Sequence, residues 1–335
     1  MKKSIVSIII VVVAVIGGFF YLRSQIYFSH GVQSQNSLFE IKKGEGNAQI
    51  AANLEDKGMI DGKIYFWLYM KTHGLLNQIY PGEYLLNGNM TIPEIAVVIT
   101  NPKKVFEQVL FKEGWTAVQM GDELQVHGFD SKAFLEIVNK PSQELLAQFG
   151  VLSDKPRTAS LEGYLFPDTY YFAKEATPDG IVKKILNNTE VKIDNDLRAE
   201  IKKQNKTIFD VITMASIVER EVSTDSDRAL VSGLFWNRLK IGQALQSDAT
   251  LSYILNDKEG AHSLAQTKID SPYNTYANKG LPIGPVSNPG LSAIKATIYP
   301  KDSQFNYFLS DPKTGQTIFS VTFPEHVANK NKYGL

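Results

Sequence analysis

The spacing of apolar residues changes along the chain, and two long apolar stretches define the main predicted helices. The first is an uncharged run from Ser4 to Leu22, preceded by Lys2 and Lys3 and followed by Arg23. It is long enough to form a helix that spans a membrane. The second covers residues 206–222 and is apolar almost all the way round. A helix of that kind is typical of the interior of a domain.

The N-terminal run predicts a membrane anchor at residues 1–22, followed by a polar stalk at residues 23–36. Basic residues before the run favour a cytoplasmic N-terminus and place the remaining chain outside the cytoplasm, in the periplasm or its equivalent. A cleaved signal peptide is the alternative. Because apolar residues continue to Tyr21 without a small-residue cleavage pattern, the sequence favours an uncleaved anchor.

Residues 37–103 have a rhythm of their own and predict a small βααβ subdomain. The predicted elements are a strand at Leu38–Ile41, helices at Ala48–Lys57 and Gly62–Thr72, and a strand near Gln78–Leu86 that Pro81-Gly82 interrupts. The opening IKKGEG and the element order resemble the small glycan-binding LysM module. The alternative is a structural spacer domain.

Residues 104–335 predict a larger, mixed α+β domain, so that the expected fold class of the chain is α+β. The predicted elements include a strand at Val105–Lys112, a helix that starts at Thr177-Pro178 and extends into residues 192–203, a helix at Ala229–Ile241, and a hairpin of Tyr307–Leu309 with Thr317–Val321.

Composition removes several classes of function. Lys+Arg and Asp+Glu are both 35 in 335 residues. The chain therefore lacks the excess of basic residues that would indicate nucleic-acid binding. The chain has no cysteine, which excludes a thiolate nucleophile and a disulfide. Its five histidines are scattered without HExxH spacing, and neither GxSxG nor a phosphate-binding glycine loop is present. We therefore expect no metal and no cofactor.

Glu219 is the candidate acid, because helical spacing places it on the same apolar stripe as Ile212 and Ala215. Poor solvation favours the neutral form of a carboxyl, and a carboxylic acid that is protonated near neutral pH can act as a general acid. The structural alternatives are a glutamate that reaches solvent or one that pairs with Arg220 or Arg228.

Polar and aromatic residues are concentrated in three other stretches. SLEGYLFPDTYYF, residues 160–172, sets Glu162 among tyrosines and phenylalanines, as in a sugar-binding cleft, although a core strand would look similar. Residues 235–248 carry Gln246 and Asp248. Residues 271–290 are rich in Pro, Gly and Asn and predict a long functional loop rather than a disordered linker.

Four motifs occur in the order and spacing of one known family: LEGYLFPDTY at residues 161–170, ASIVERE at 215–221, FWNRLKIGQALQSDAT at 235–250 and SPYNTYANKGLPIGPVSNPG at 271–290. With the HVANKNK region from His326 and the N-terminal anchor, the chain resembles the MltG/YceG family of endolytic murein transglycosylases over residues 37–335. One departure is Ser247, where the family has a threonine, and the hydroxyl is kept.

The resemblance implies a single-pass membrane enzyme that cuts nascent peptidoglycan strands between N-acetylmuramic acid (MurNAc) and N-acetylglucosamine (GlcNAc), leaving 1,6-anhydro-MurNAc ends. It implies that Glu219 is the catalytic acid and base. The implied cleft residues are Glu162, Gln246, Asp248, Tyr273 and Asn274. Cell-wall synthases (penicillin-binding proteins) are the partners that it implies.

Two other functions fit the same motifs. A hydrolytic muramidase would need a second carboxylate about 5–9 Å from Glu219, for which Glu162 or Asp248 are the candidates. A membrane-anchored scaffold that binds peptidoglycan without turnover would share the aromatic cleft and the LysM-like module. Only the enzyme needs an acid in the apolar stripe.

Overall fold

The computed structural model describes residues 2–102, 105–257, 262–311 and 314–334. The predicted boundary between residues 103 and 104 lies outside the described residues. The chain forms two compact units. Unit 1 comprises Met1–Gln108 and Tyr171–Ala176, and unit 2 comprises Val109–Tyr170 and Thr177–Leu335. Helices and strands are mixed in the fold, which confirms the α+β class.

Unit 1 begins with a long apolar helix and continues as an α/β layer. Its elements are α1 (Lys2–Tyr27), β1 (Ser37–Ile41), α2 (Asn47–Asp56), α3 (Lys63–Thr72), β2 (Gly82–Leu86) and α4 (Ile92–Ile99). The predicted β-α-α-β order is present, with β1 and β2 paired antiparallel. The strand predicted at Gln78–Leu86 is shorter than expected, because it begins only at Gly82, after Pro81, which has no N–H for a ladder.

The core of unit 1 lies between the paired strands and the helices α2, α3 and α4. Phe39 on β1, Phe66 on α3 and Tyr84 on β2 are all at most 1% exposed. A Thr91–Glu94 capping box starts α4, with the Thr91 hydroxyl accepting from the Glu94 N–H and the Glu94 carboxylate accepting from the Thr91 N–H. Local sequence signals therefore start the helix, and burial of its apolar face holds it in place.

The segment predicted as anchor and stalk has more structure than expected. Helix α1 continues to Tyr27, and within the described residues Ile9–Tyr27 is the one segment long and apolar enough to cross a membrane. Val32 and Gln33 then donate backbone hydrogen bonds to the Gly58 carbonyl at 2.9 and 3.0 Å. Residues 32–33 are therefore attached to unit 1 rather than forming a free spacer.

A four-stranded sheet has the order β1-β2-β3-β4, where β3 is Phe106–Leu110 and β4 is Thr169–Ala173. Strand β3 is shorter than the predicted Val105–Lys112. Both β3 and β4 continue along the chain from one unit into the other.

Unit 2 is largely helical, with a small hairpin near the C-terminus. Its helices and strands are α5 (Ala117–Val126), α6 (Ser131–Asn139), α7 (Gln143–Ala147), α8 (Pro178–Lys192), α9 (Asn195–Lys203), α10 (Ile208–Glu221), α11 (Asp225–Lys240), α12 (Asp248–Leu255), α13 (Leu291–Ile298), β5 (Tyr307–Ser310), β6 (Thr317–Ser320) and α14 (Phe323–Tyr333), with 3-10 turns at Gly150–Leu152 and Gln266–Lys268. The predicted hairpin is confirmed as the antiparallel pair β5–β6.

The prediction of one helix from Thr177 into residues 192–203 is wrong, because two helices occupy this stretch. The chain ends α8 at Lys192 and starts a new helix, α9, after Asp194. The Asp194 carboxylate accepts a hydrogen bond from the Leu197 N–H at 2.9 Å and so caps α9. A capping residue inside a charged stretch therefore breaks what the composition alone suggested was one helix.

Helix α10 is the central helix of unit 2, as its apolar pattern predicted. All eight residues from Val211 to Val218 are buried, and the helix packs against α11 and α13. A Thr207–Asp210 capping box starts it, and the Asp154 carboxylate accepts from the N–H groups of Ile208 and Phe209. These bonds satisfy helix amides that would otherwise lack partners.

Candidate active site

Glu219 lies in the last turn of α10, and its side chain is 5% exposed. One carboxylate oxygen, Oε1, is 2.7 Å from Nη2 of Arg228. The other, Oε2, accepts a hydrogen bond from the Gly290 N–H at 2.9 Å. The acid predicted from the apolar stripe is thus buried and also pairs with Arg228, one of the two partners that the sequence left open.

Two connections bring these partners together. The link from α10 to α11 is short, and the Thr224 hydroxyl caps α11 by accepting from the Asp227 N–H at 3.2 Å, so Arg228 lies in the first turns of α11. Residues 286–288 are tied to α10 through Ser216, whose Oγ accepts from the Val286 N–H at 2.9 Å. The loop therefore reaches Gly290 in a fixed position beside Glu219.

The electrostatics of Glu219 combine opposing effects. Burial raises the pKa of its carboxyl above the ordinary value, while the bonds from Gly290 and Arg228 oppose the rise and the charge of Glu113 adds to it. The group can thus hold a proton more readily than a solvated glutamate, and a donor pair stabilises the carboxylate once the proton has left.

Glu113 is a second acid at this site that the sequence reading missed. A Cβ placed on Gly290 would lie 1.9 Å from Oε1 of Glu113, so the Glu113 carboxylate lies directly against Gly290. The next residue, Gly114, has a φ of +76°, and a Cβ there would be 3.6 Å from Cγ of Glu219. This left-handed turn lets the chain approach the acid closely.

Replacing Glu113 by glutamine should shift the pH dependence of activity. Glu219 must be protonated to act as an acid, and the negative charge of Glu113 favours that protonated form. In Glu113→Gln the pKa of Glu219 falls, so the decline in rate with rising pH begins at lower pH. Rate profiles between pH 4.5 and 8.5 would test this, roughly spanning the range of perturbed carboxyl groups.

Glu113→Asp keeps the charge and should restore part of the wild-type profile. Glu144, an exposed glutamate in the first turn of α7, provides the control variant Glu144→Gln. A Glu113→Gln profile that coincides with wild type would contradict an electrostatic role for Glu113.

Glu162 is 4% exposed and lies at the N-terminus of α5. Its carboxyl accepts from the Ala117 N–H at 2.9 and 3.1 Å and from Nδ2 of Asn288 at 2.6 Å. Burial raises its pKa to about 7, against the effect of these donors. Glu162 thus joins α5 to the 271–290 loop. The core-strand alternative is confirmed for residues 169–172, which lie in β4 with Tyr170 and Phe172 buried, but not for Glu162, because no strand is assigned over residues 161–168.

Asn288 connects three separate segments around the acid. Its Oδ1 accepts from the N–H groups of Gly163 and Leu165 at 2.8 and 3.0 Å, and its Nδ2 donates to the Trp115 carbonyl at 3.0 Å as well as to Glu162. Asn288 is 0% exposed. All of its amide capacity is used, which fixes the loop that carries Gly290.

Gln246 and Asp248 lie at the entry to α12. Gln246 has an exposed side chain and a left-handed backbone, with φ of 51°, and its N–H donates to the Thr275 carbonyl at 3.0 Å. Asp248 accepts from the Tyr276 hydroxyl at 2.9 Å. Nearby, the Ser247 hydroxyl donates to Glu221, whose pKa burial raises to about 7. Ser247 is therefore bonded to a buried carboxyl.

Tyr273 and Asn274 differ in what they present to a ligand. Tyr273 and Glu162 line the same cavity of about 510 Å³. Asn274 is fully buried, with its Nδ2 donating to the carbonyls of Thr267 and Ile269 and its Oδ1 accepting from the Tyr276 N–H. Its amide is used within the loop, so Asn274 shapes the loop and has little capacity left for a ligand.

The site holds a buried acid, Glu219, bonded to an arginine and a backbone N–H, in a mixed α+β protein with an apolar N-terminal helix. The YceG-like family model matches residues 39–332. The chain belongs to the YceG-like family.

Curated relatives and a solved structure agree with this assignment. The chain is 29% identical over 332 residues to an endolytic murein transglycosylase of Bacillus subtilis, a match covering 95% of this chain and 91% of that protein. A Streptococcus pneumoniae endolytic murein transglycosylase is 28% identical over 86% of this chain and 57% of its own length. The crystal structure of a yceG-like protein from Listeria monocytogenes is 31% identical, with a TM-score of 0.61, covering 89% of this chain and all of that one.

Proposed function

We propose that this protein is an endolytic lytic transglycosylase of peptidoglycan. It cleaves the β-1,4 bond between MurNAc and GlcNAc inside a glycan strand and leaves a 1,6-anhydro-MurNAc end, which limits strand elongation. The observation that carries this proposal is the buried Glu219, held between Arg228 and the Gly290 N–H. The names of its relatives support it.

In the first step the Glu219 carboxyl donates its proton to the glycosidic oxygen, and the bond from that oxygen to C1 of MurNAc breaks. The GlcNAc part leaves with a hydroxyl, and positive charge develops at C1. Glu219 is then a carboxylate, and Arg228 and the Gly290 N–H stabilise its charge.

In the second step the Glu219 carboxylate removes the proton from the C6 hydroxyl of the same MurNAc, and O6 bonds to C1. This closes the 1,6-anhydro ring and returns the proton to Glu219, so no water is consumed. One carboxyl suffices because the nucleophile is held on the substrate itself. The raised pKa of Glu219 suits a group that must be acid first and base afterwards.

We propose that residues 37–103 form a LysM-like module that binds the glycan, and that residues 104–335 form the catalytic domain. The β-α-α-β order supports the likeness. A concave surface of about 600 Å³ includes Glu45, Asn53 and Lys57, whose polar groups are of the kind that bind sugar hydroxyls.

We also propose that α1 is an uncleaved membrane anchor with its N-terminus in the cytoplasm. Residues 23–36 follow it as a stalk, and the catalytic domain lies outside the cytoplasm. Lys2 and Lys3 before the apolar run support this orientation. At that location the enzyme meets nascent strands next to the synthases that make them, and we propose those synthases as partners.

Mass spectrometry of the products tests the activity. Full-length protein in detergent micelles would be incubated with uncrosslinked glycan strands, and we expect internal cleavage with 1,6-anhydro-MurNAc ends. Products one water heavier, with reducing ends, would indicate a hydrolytic muramidase. Strand binding without any cleavage would indicate a non-catalytic scaffold.

A further inference from the structure

Arg220, next to the acid on α10, lines the cavity of about 510 Å³ that also holds Glu162 and Tyr273. Gly114 lies beside both Glu219 and Arg220, because a Cβ on Gly114 would be 3.6 Å from Cγ of Glu219 and 3.8 Å from Cγ of Arg220. The stems of both side chains lie against the same glycine. A ligand group in the cavity would therefore be a neighbour of the bond that Glu219 acts on.

Arg220 differs from the other partly buried arginines of α10 and α11. Arg228 bonds Glu219 and Asp225, and Arg238 donates to the carbonyls of Leu245 and Asn306. In the part of the chain that the structure describes, the Arg220 guanidinium has no hydrogen bond or ion pair. Burial lowers its pKa, and only the more distant charges of Glu221, Asp257 and Glu162 act in its favour.

A partly buried arginine without a bonded partner costs folding free energy. Structural arginines avoid that cost by pairing, as Arg228 does with Glu219 at 2.7 Å. The guanidinium of Arg220 therefore has its donors available for a ligand in the cavity. Its planar donors suit a carboxylate, which they can bind through two parallel hydrogen bonds.

The rest of the cavity indicates what kind of group bears that carboxylate. The Tyr253 and Tyr273 rings pack at an angle of 51° with centroids 5.0 Å apart, and Gln119 and Asn139 add amides to the lining. Asp257 also lines the cavity, so a simple anion would meet repulsion there. A carboxylate that stands next to amide N–H groups, as in a short peptide, matches this mixture better than a neutral sugar does.

We propose that Arg220 binds a carboxylate carried by the substrate strand. This cavity then recognises the lactyl group of MurNAc, or the peptide attached to it, rather than the sugar backbone. Two sources share this chemistry: the peptide attached to the lactyl group, and the lactyl carboxylate itself on strands without peptides. This inference rests on the proposed function for its substrate, and its test below includes a measurement that does not need turnover.

Three forms of strand test the proposal with full-length protein in micelles: peptide-bearing strands, the same strands with all carboxylates amidated chemically, and peptide-free strands. We expect wild-type kcat/KM to fall about 10- to 100-fold on amidation, the usual range for loss of a hydrogen-bonded charge. Arg220→Gln should show the same loss on untreated strands, chiefly in KM. The difference between variant and wild type should disappear on amidated strands.

Arg220→Lys keeps the charge and should recover part of the loss. Arg157 is exposed, and Arg157→Gln is the matched control, which should behave as wild type on all three strands. A loss in Arg220→Gln on peptide-bearing strands alone assigns the carboxylate to the peptide. A loss on peptide-free strands alone assigns it to the lactyl carboxylate, which is an amide in peptide-bearing strands. A loss on both strands shows that the site accepts either carboxylate.

Equal kcat/KM of wild type on untreated and amidated strands would overturn the inference, as would an equal loss in Arg220→Gln on both. Fluorescence anisotropy of labelled strands, bound to Glu219→Gln protein, makes the same comparison without turnover. Binding that depends on carboxylates and on Arg220, without any cleavage by wild type, would reject the transglycosylase and retain this site. Equal binding of untreated and amidated strands would contradict the proposed carboxylate site.

Discussion

Glu219→Gln is expected to lower the rate of 1,6-anhydro-MurNAc formation by roughly 10²- to 10⁴-fold, the usual contribution of a general acid and base. Glutamine can accept the Gly290 N–H bond, but it has no proton to give to the glycosidic oxygen and cannot take the one from the C6 hydroxyl. Both proton transfers assigned to this residue are lost together. The measurement is the rate of appearance of anhydro ends by mass spectrometry.

The structure predicts that this loss is catalytic rather than structural. Arg228 keeps its contact with Asp225, and residues 211–218 of α10 keep their packing. Glu219→Gln should therefore melt close to wild type and still bind strands. Glu144→Gln, on the exposed first turn of α7, controls for the loss of one carboxylate and should keep wild-type rates. Normal turnover in Glu219→Gln would refute its role and direct attention to Glu162 and Glu221.

Asn288→Ala should destabilise unit 2 by about 2–6 kcal/mol, because each of two buried N–H groups left without a partner costs about 1–3 kcal/mol. Alanine would leave the N–H groups of Gly163 and Leu165 unpaired and remove a donor from Glu162. Its Cβ could not replace any of these bonds. We expect a melting temperature lower by roughly 10 °C, given a few degrees per kcal/mol for a domain of this size.

Tryptophan fluorescence during thermal unfolding can follow this change, since the carbonyl of Trp115 is one of the Asn288 partners. The matched control is Asn237→Ala, the same substitution at an exposed position of α11, where surface changes usually stay within about 0.5 kcal/mol. If Asn288→Ala melts like the control, the Asn288 network does not hold the loop. If it melts early but keeps full activity, the position of Gly290 is not critical for Glu219.

Features governed by neighbours in sequence were predictable. Thr207, Thr177 and Thr224 each cap a helix through a bond to a residue three positions later. The apolar run before Arg23 is visible in any window long enough to span a membrane. The prediction failed where a local signal was overlooked, as at Asp194, which caps α9 and separates it from α8.

The site was predictable only in part. The apolar stripe identified Glu219, and helical spacing predicted that it would be poorly solvated, but spacing left Arg220 and Arg228 equally open as partners. Arg228 pairs with Glu219 because of how α11 leaves α10, and this frees Arg220 for the cavity. Glu113 and Gly290 meet Glu219 from positions far away in the chain, and no short-range pattern indicates them.

From the sequence alone follow the apolar N-terminal segment, the mixed helices and strands, the buried central helix and the acid at its end, because each depends on side-chain chemistry within a few residues. The tertiary structure decided which arginine pairs with that acid and that Asn288 ties Glu162 to the loop across 126 positions. It also decided that the side-chain amide of Asn274 is hydrogen-bonded inside that loop. Such contacts depend on how helices cross and loops return, and side-chain direction in space is not encoded in any local period.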